Sequence, residues 1–332
     1  MKILVTGGSG NIGSAVVREL AAGGHEVLAV ARRRPVVPRT SAHSTVEWRC
    51  VDVSRDDLDQ HVVDVDAVVH LAWKMQPTHR PQETWETNAV GTRRLLEALA
   101  RRGSPPLVVA SSVAAYSPVD HDHPVDETWA TGGASPAAYC REKAYVERLL
   151  DGYQGTAPHA RVVRIRPAFV FQRSAGSEQR RIFGGPLARP ALFERRHLPA
   201  VPVPRGLRFQ AVHAGDVARA MATAVEREVS GAFNLAGDGV LDRQALGEVL
   251  GAATVAVPPR LVRSAIDAAW TLRAAPVPGD LFSGLMALPL MSTERARREL
   301  GWTPQHTAAK ALTALLEGAA SRAGSDLPPL RP

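Results

Sequence analysis

Two side chains suited to proton transfer stand four residues apart near the middle of the chain. The run Tyr139-Cys140-Arg141-Glu142-Lys143 has helical periodicity, so Tyr139 and Lys143 share one helix face, one turn apart. A tyrosine that acts as acid or base near neutrality needs its pKa of about 10 lowered, and a neighbouring ammonium group would lower it. Ser112 ends a predicted strand and can hydrogen-bond a carbonyl or alkoxide oxygen. We therefore predict that Ser112, Tyr139 and Lys143 are catalytic.

A glycine-rich turn near the N-terminus has the spacing of a phosphate-binding loop. It joins a predicted strand, Lys2–Thr6, to a predicted helix, Asn11–Ala22. Glycines in such a turn let backbone N–H groups and the helix N-terminus face a pyrophosphate, so the order strand, loop, helix indicates a dinucleotide site. The candidate cofactor-binding residues of this loop are Gly7, Ser9, Gly10, Asn11, Ile12 and Gly13.

The residues after the second and third strands bear on which dinucleotide is bound. Ala31-Arg32-Arg33-Arg34 contains no acid that could bind the ribose 2′-OH of NAD, whereas arginine accommodates the 2′-phosphate of NADP. We predict NADP as the preferred cofactor, or NAD, with Arg32 or Arg33 on the phosphate; the alternative is that these arginines are only solvated. Asp52, followed by Val53, is a candidate partner for the adenine amine, or else a turn cap.

Short apolar runs alternate with helical patterns over the first 170 residues, which is typical of βαβ units around a parallel sheet. Further strands are predicted at 26–31, 47–51, 67–72, 107–111 and 161–166, and helices at 82–102 and 136–150. Residues 172–208 are rich in Arg, Pro and Gly with little periodicity; elements are again predicted at 214–227, 231–236, 241–252, 259–275 and 292–300. The predicted fold is α/β, a Rossmann-type doubly wound parallel sheet with a smaller C-terminal α/β substrate-binding part. The predicted domains are a dinucleotide-binding domain over 1–170, a partly interleaved substrate-binding part over 171–323 and a flexible tail over 324–332.

Composition argues against several classes of partner. The net charge of +7 comes almost entirely from arginines spread along the chain, and no nucleic-acid-binding motif accompanies them, so no nucleic-acid partner is expected. No apolar run reaches the roughly 18 to 20 residues of a membrane span, and no signal peptide is recognisable. Cys50 and Cys140 are far apart and outside any metal-ligand spacing, which indicates no metal site and a cytoplasmic location. A small-molecule substrate is the expected partner.

Together these motifs resemble the extended short-chain dehydrogenase/reductase superfamily, specifically its NAD-dependent epimerase/dehydratase group. The resemblance spans nearly the whole chain. The further motifs that carry it are His70-Leu71-Ala72, Asn88-Ala89-Val90-Gly91-Thr92, Ser111-Ser112 with Tyr116, Arg166-Pro167, Val212-His213-x-x-Asp216-Val217-Ala218, Phe233-Asn234-Leu235-Ala236-Gly237 and Leu300-Gly301-Trp302-Thr303-Pro304.

The resemblance implies a mechanism. Tyr139 would be the general acid or base, Ser112 would orient the substrate oxygen, and Lys143 would lower the pKa of Tyr139 and bond the nicotinamide ribose. Leu71, Ala72 and Pro167 would contact the cofactor, and Asn88 would support the site. A homodimer through the helices near 82–102 and 136–150 is common in this superfamily and is an option here.

Three departures from the family pattern bear on the reaction. Nucleotide-sugar epimerases typically have Asn where this chain has Phe169. They typically have Arg where it has Phe209, and Arg208 lies one residue before that position. The acid that selects NAD is replaced by Ala31. We therefore predict an NAD(P)-dependent oxidoreductase acting at a secondary alcohol or ketone carbon. The alternatives are a nucleotide-sugar epimerase or dehydratase with tightly bound NAD, and a non-catalytic dinucleotide-sensing regulatory protein.

Overall fold

A computed structural model describes residues 1–33, 35, 45–76, 78–185, 189–193 and 200–331. Arg34, which belongs to the predicted arginine run, lies outside the described residues. The strands are β1 (Lys2–Thr6), β2 (Glu26–Ala31), β3 (Val46–Cys50), β4 (Ala67–His70), β5 (Leu107–Ala110), β6 (Val162–Pro167), β7 (Phe169–Phe171), β8 (Ala200–Pro204), β9 (Ala211–His213), β10 (Gly231–Leu235) and β11 (Ala253–Val257).

The helices flank these strands or cover their carboxyl ends. They are α1 (Asn11–Ala22), α2 (Pro81–Trp85), α3 (Gly91–Arg101), α4 (Ala138–Thr156), α5 (Gly176–Gln179), α6 (Ala214–Glu226), α7 (Arg243–Leu250), α8 (Pro259–Thr271), α9 (Gly279–Met286), α10 (Glu294–Leu300) and α11 (Ala308–Ala320). In the part of the chain that the structure describes, no helix combines the length and apolar character needed to cross a membrane.

Seven strands form one parallel sheet in the order β10-β6-β5-β4-β1-β2-β3. The chain reverses direction of winding between β1 and β4, and folds of this kind bind their ligands in the crevice at the carboxyl ends of these two strands. Alternate residues of β1 enter opposite cores: Ile3 and Val5 pack on the side of α1 and α6, and Leu4 packs on the side of α3 and α4. Burial of both faces explains the continuous apolar runs, and the topology confirms the predicted Rossmann-type doubly wound sheet.

The helix predicted over 82–102 is divided in the structure. A single π turn, Glu86–Val90, separates α2 from α3. The Thr92 hydroxyl donates to the carbonyl oxygen of Asn88 over 2.6 Å, and the Asn88 side chain reaches back to the segment after β4. Asn88, within this π turn, is fully buried and lies against the segment after β4.

The C-terminal part contains two small parallel sheets, β7 with β9 and β8 with β11. Helix α11, absent from the predicted elements, packs closely on the segment after β7: a Cβ atom added at Gly318 would lie 2.0 Å from the carbonyl oxygen of Arg173. Part of the tail predicted over 324–332 is packed in the structure. Leu330 is fully buried, and Arg181 donates to the carbonyl oxygens of Pro329 and Arg331, so packing and hydrogen bonds hold this segment.

Candidate functional site

The glycine loop runs from β1 into α1 in contact with the end of β4. Gly7 has a φ of +68°, and a Cβ atom added there would lie 2.7 Å from the backbone nitrogen of Ala72. A Cβ atom at Gly13 would lie 2.1 Å from the carbonyl oxygen of Gly7. The two glycines therefore permit close backbone approach. Gly10 is the N-cap of α1 and no side chain caps this helix, so the N–H groups of its first turn have no side-chain acceptor.

The other predicted loop residues lie around this N-terminus. Ser9 is buried, and Ile12 is half-buried against the core on the α1 side. The Asn11 side chain donates to the carbonyl oxygen of Val170 over 2.9 Å, and the Gln172 amide donates back to Asn11. Because its side chain holds β7 in place, Asn11 offers a ligand its backbone N–H rather than its amide group.

The predicted adenosine end lies at the carboxyl ends of β2 and β3. Arg32 and Arg33 are exposed there. Asp52 accepts hydrogen bonds from the backbone N–H and the hydroxyl of Ser54 at 3.0 and 2.6 Å, which is the turn-cap arrangement. Burial opposes ionisation of Asp52, but the bonds from Ser54 and the charges of Arg32 and Arg55 together leave its pKa lowered. Val53 is buried against Gly91.

A chain of hydrogen bonds fixes the end of β4. The backbone N–H groups of Leu71 and Ala72 donate to the Thr6 hydroxyl, whose oxygen lies 2.7 Å from Nδ1 of His70. Nε2 of His70 lies 2.9 Å from the Thr92 hydroxyl. Since Thr92 donates its own proton to Asn88, its oxygen accepts from His70, and the proton of His70 must be on Nε2. Burial, followed by the charge of Lys143, lowers the pKa of His70 to about 3, so the ring stays neutral.

The three predicted catalytic residues meet at the carboxyl ends of β5 and β4. Ser112 follows β5, and Tyr139 and Lys143 occupy successive turns of α4. The Tyr139 hydroxyl donates to Oγ of Ser112 over 3.4 Å, and the same Oγ accepts the N–H of Ala114 at 3.1 Å. With two bonds accepted, Ser112 keeps its own hydroxyl proton available for another oxygen.

Lys143 is buried beside the tyrosine but does not lower its pKa. The ammonium donates to the carbonyl oxygen of Ala110 over 2.8 Å and lies 3.5 Å from the ring centroid of Trp73. Burial raises the pKa of Tyr139 to about 12, partly offset by the bond to Ser112. Burial also lowers the pKa of Lys143 to about 7. The predicted lowering of the Tyr139 pKa is thus not found, because desolvation dominates and the ammonium is bound elsewhere.

Asn88 and Pro167 are both buried, and Asn88 is hydrogen-bonded to the segment after β4. The Asn88 side chain accepts from the N–H of Lys74 at 2.7 Å and donates to its carbonyl oxygen at 2.9 Å. Its amide also donates to the buried Glu142 over 2.6 Å. Pro167 is buried at the end of β6, in register with Leu235 of β10. Asn88 therefore positions the segment after β4 through the backbone of Lys74.

A buried ionic network beneath Ser112 was not predicted. Glu147, fully buried on α4, accepts from the Ser111 hydroxyl at 2.6 Å and from Arg166 and Arg164 at 2.9 and 3.0 Å. Burial opposes its ionisation, but Arg166, Ser111 and Arg164 together leave its pKa lowered. Tyr139, Lys143 and Glu147 follow one another at four-residue spacing, and this stripe was the available sequence signal.

Comparisons with known proteins identify the family of the chain. A model of the NAD dependent epimerase/dehydratase family matches residues 3–236. UDP-glucose 4-epimerase from Corynebacterium glutamicum is 24% identical over 342 residues, which cover 92% of this chain and 92% of that protein. Among curated relatives, UDP-glucuronic acid decarboxylase 1 from Danio rerio is 30% identical over 180 residues, which cover 51% of this chain and 41% of that protein.

Solved structures share the fold. UDP-glucose-4-epimerase from Stenotrophomonas maltophila, with bound NAD and formylated UDP-arabinopyranose, has a TM-score of 0.72 and 22% identity, over 97% of this chain and 98% of its own. DesIV, a dTDP-glucose 4,6-dehydratase from Streptomyces venezuelae with NAD and TYD bound, has a TM-score of 0.68 and 22% identity, over 97% of both chains. Both are described with NAD and neither supports the predicted preference for NADP. Because the family match extends from β1 through β10, the chain belongs to the NAD-dependent epimerase/dehydratase family of enzymes.

Proposed function

We propose that this chain is an NAD(P)-dependent oxidoreductase acting at a secondary alcohol or ketone carbon, with Tyr139 as general acid or base. The observation that carries the proposal is the contact of the Tyr139 hydroxyl with Ser112 at 3.4 Å, beside the buried ammonium of Lys143. These groups lie at the carboxyl edge of the sheet, where open α/β folds bind their ligands.

The glycine loop fits a dinucleotide. Gly7 and Gly13 leave no room for a Cβ atom, and the uncapped first turn of α1 presents N–H groups suited to a pyrophosphate. Leu71 and Ala72 would line the cofactor. When bound, the dinucleotide would supply hydride transfer to or from the substrate carbon. Exposed Arg32 and Arg33 support the finer proposal that NADP is preferred.

The pKa of about 12 for Tyr139 keeps its phenol protonated at neutral pH, so the resting site is set to donate a proton. In reduction, Tyr139 would give its proton to the carbonyl oxygen as that oxygen gains charge, while the Ser112 hydroxyl donates to the same oxygen. The long bond between Tyr139 and Ser112 is weak, which makes the phenol proton easy to redirect to a substrate. The Lys143 ammonium would bond the nicotinamide ribose of the bound dinucleotide.

A nucleotide-sugar epimerase with tightly bound NAD is the second candidate, favoured by the relative from Corynebacterium that matches along almost the whole chain. Two features of the site count against it. Phe169, at the position where such epimerases typically have Asn, packs on Phe209 with ring centroids 5.3 Å apart. Arg208 pairs with Asp122 and donates to the carbonyl oxygen of Leu288, so its guanidinium is already engaged.

Replacement of Tyr139 by Phe tests the catalytic assignment. Turnover in an NAD(P)H-linked assay with a panel of ketones should fall at least 100-fold, because general acid catalysis is lost, while dinucleotide affinity stays within about threefold. Tyr145→Phe is the matched control on the same helix, since Tyr145 is 40% exposed and should leave both quantities unchanged. Unaltered turnover in Tyr139→Phe would contradict the assignment, and a wild-type protein that binds dinucleotide without turnover would favour the sensor alternative.

The dinucleotide itself separates the two enzymatic candidates. Purified protein would be denatured and the released nucleotide identified by mass spectrometry. Release of NADP(H) supports the oxidoreductase. So does a protein that releases no dinucleotide and then binds NADPH more tightly than NADH. Stoichiometric NAD⁺ would instead contradict both the NADP preference and an exchangeable cofactor, and would favour the epimerase.

A further inference from the structure

The ammonium of Lys143 is held by an aromatic ring rather than by the tyrosine. Trp73 comes directly after Leu71 and Ala72, and its ring centroid lies 3.5 Å from Nζ of Lys143. The same ring meets Tyr139 edge-on, with centroids 5.8 Å apart and planes at 85°. Trp73 therefore contacts both proton-handling residues, although no motif of the chain includes it.

The segment that carries Trp73 is fixed on both sides of the site. The side chain of Asn88 binds the N–H and the carbonyl oxygen of the next residue, Lys74. Two residues further on, the amide of Gln76 donates to the carbonyl oxygen of Pro276 over 3.0 Å, which ties the segment to the C-terminal part. The indole thus belongs to a backbone segment that is anchored by hydrogen bonds to two separate elements.

Lys143 needs a partner at this position because it is only 4% exposed. Its charged neighbours are Glu142 and Glu147 on its own helix, and both raise its pKa. From the end of β4 it faces His70, which is neutral and offers no negative charge. Glu142 and Glu147 are themselves bound by Asn88 and by the two arginines of the network, so neither is free to take the ammonium as a close pair.

An indole face suits this environment chemically. Its electron density attracts a cation, most strongly when the cation is shielded from water. Unlike a carboxylate, the ring takes no proton from the ammonium and forms no conventional hydrogen bond that fixes its orientation. One N–H of the ammonium is directed to the carbonyl oxygen of Ala110. Its other N–H groups can therefore donate to a hydroxyl group of a ligand bound near Tyr139.

We propose that Trp73 is the positioning residue of the active site, holding the Lys143 ammonium charged between its indole face and the Ala110 carbonyl. This inference rests on the proposed function of Lys143 beside Tyr139. Removal of the aromatic face, with an apolar cover kept, should destabilise the ammonium, so the Lys143 pKa should fall below its value of about 7. Substitution of Trp73 by Phe, which keeps a weaker aromatic face, should give a smaller decrease.

Nuclear magnetic resonance of ¹³Cε-labelled lysine tests this without substrate or cofactor. The chain has four lysines, so four signals are expected, and Lys143→Arg identifies the relevant one. Trp73→Leu should lower the Lys143 pKa by about one unit, a tenfold loss of proton affinity, and Trp73→Phe by less than half of that. The signal of Lys310, on α11, serves as the internal reference for the spectra.

Either of two results would overturn the proposal. An unchanged Lys143 pKa in Trp73→Leu would show that the ring does not hold the charge. A pKa that rises towards the usual value for lysine would show that Trp73 only excludes water. Trp73→Met, whose flexible side chain fills irregular space, replaces Trp73→Leu if that variant does not fold.

Kinetics then separate this inference from the proposed function. Where the wild-type enzyme reduces a ketone, the pH at which kcat declines should move with the Lys143 pKa in each variant, while KM changes little. If the Lys143 pKa shifts in a variant but the pH profile of kcat does not, the role of Trp73 in turnover is overturned. If the resonance shifts as expected but no redox turnover is found for the wild type, the proposed function fails while the contact between Trp73 and Lys143 stands.

Discussion

Among the glycines of the loop, Gly10 is the one at which a side chain would disturb the packing of the protein least. Its φ of −78° is accessible to any residue, and an added Cβ atom would meet a single neighbour within 4 Å, the carbonyl oxygen of Gly7 at 3.4 Å. The corresponding atom at Gly13 would overlap that oxygen at 2.1 Å. Gly10→Ala should therefore fold, and it should change the free energy of unfolding by no more than about 1 kcal/mol, the usual effect of alanine at an N-cap.

Binding of a dinucleotide should respond far more strongly to the same change. The methyl group would stand over the first turn of α1, where the structure leaves space and free N–H groups for a phosphate. Loss of one hydrogen bond to a charged group costs about 1.5 to 3 kcal/mol, which corresponds to about a 10- to 160-fold increase in Kd. Gly10→Ala should thus separate affinity from stability.

Isothermal titration with NAD and NADP measures the affinity, and urea unfolding measures the stability. Gly152→Ala, at an exposed position of α4 with nothing within 4 Å of the added Cβ atom, is the matched control. It should leave Kd unchanged and stabilise the fold by about 0.5 to 1 kcal/mol through helix propensity. A folded Gly10→Ala variant with the Kd of the wild type would refute the conclusion that a phosphate lies against this glycine.

Two further predictions concern charge. Because the Lys143 pKa is lowered to about 7, its ammonium is lost as pH rises through about 7, and kcat/KM measured from pH 5 to 9 should decline over that range. Lys143→Arg, which stays charged, should abolish this decline of kcat/KM. If the decline persists in Lys143→Arg, it comes from the titration of another group. Glu147→Gln should lower the free energy of unfolding in urea by about 3 to 5 kcal/mol, because it leaves Arg164 and Arg166 buried beside a neutral group. Glu97→Gln, in an exposed pair, should cost less than about 0.5 kcal/mol, and equal losses in the two variants would contradict the network's role.

The elements with strong patterns were predictable from the sequence. β1, α1 and β2 have the predicted bounds, since each is an apolar run or an amphipathic helix ended by a glycine turn. Residues 172–208 were not, because their short elements depend on partners far along the chain. β8, for example, contains two prolines and pairs with β11, about fifty residues later, so no local pattern specifies it.

The candidate site shows the same division. Spacing was enough to predict that Ser112, Tyr139 and Lys143 come together, because helix geometry and the sheet edge determine their places. The pKa of Tyr139 was not predictable, since it depends on burial and on the direction in which the ammonium points. Trp73 contacts both Tyr139 and Lys143, and sequence spacing could not place its ring over the ammonium.

The position of β10 has a consequence for how the protein is made. This strand completes the sheet beside β6, yet it is separated from β6 by more than sixty residues that belong mostly to the C-terminal part. During synthesis β6 therefore remains an unpaired edge strand until residue 235 has left the ribosome. Until then the Tyr116 hydroxyl also lacks its acceptor on Asn234. A shortened chain that stops at residue 170 would carry the glycine loop and all three reactive side chains, but it would keep that edge unpaired and prone to self-association.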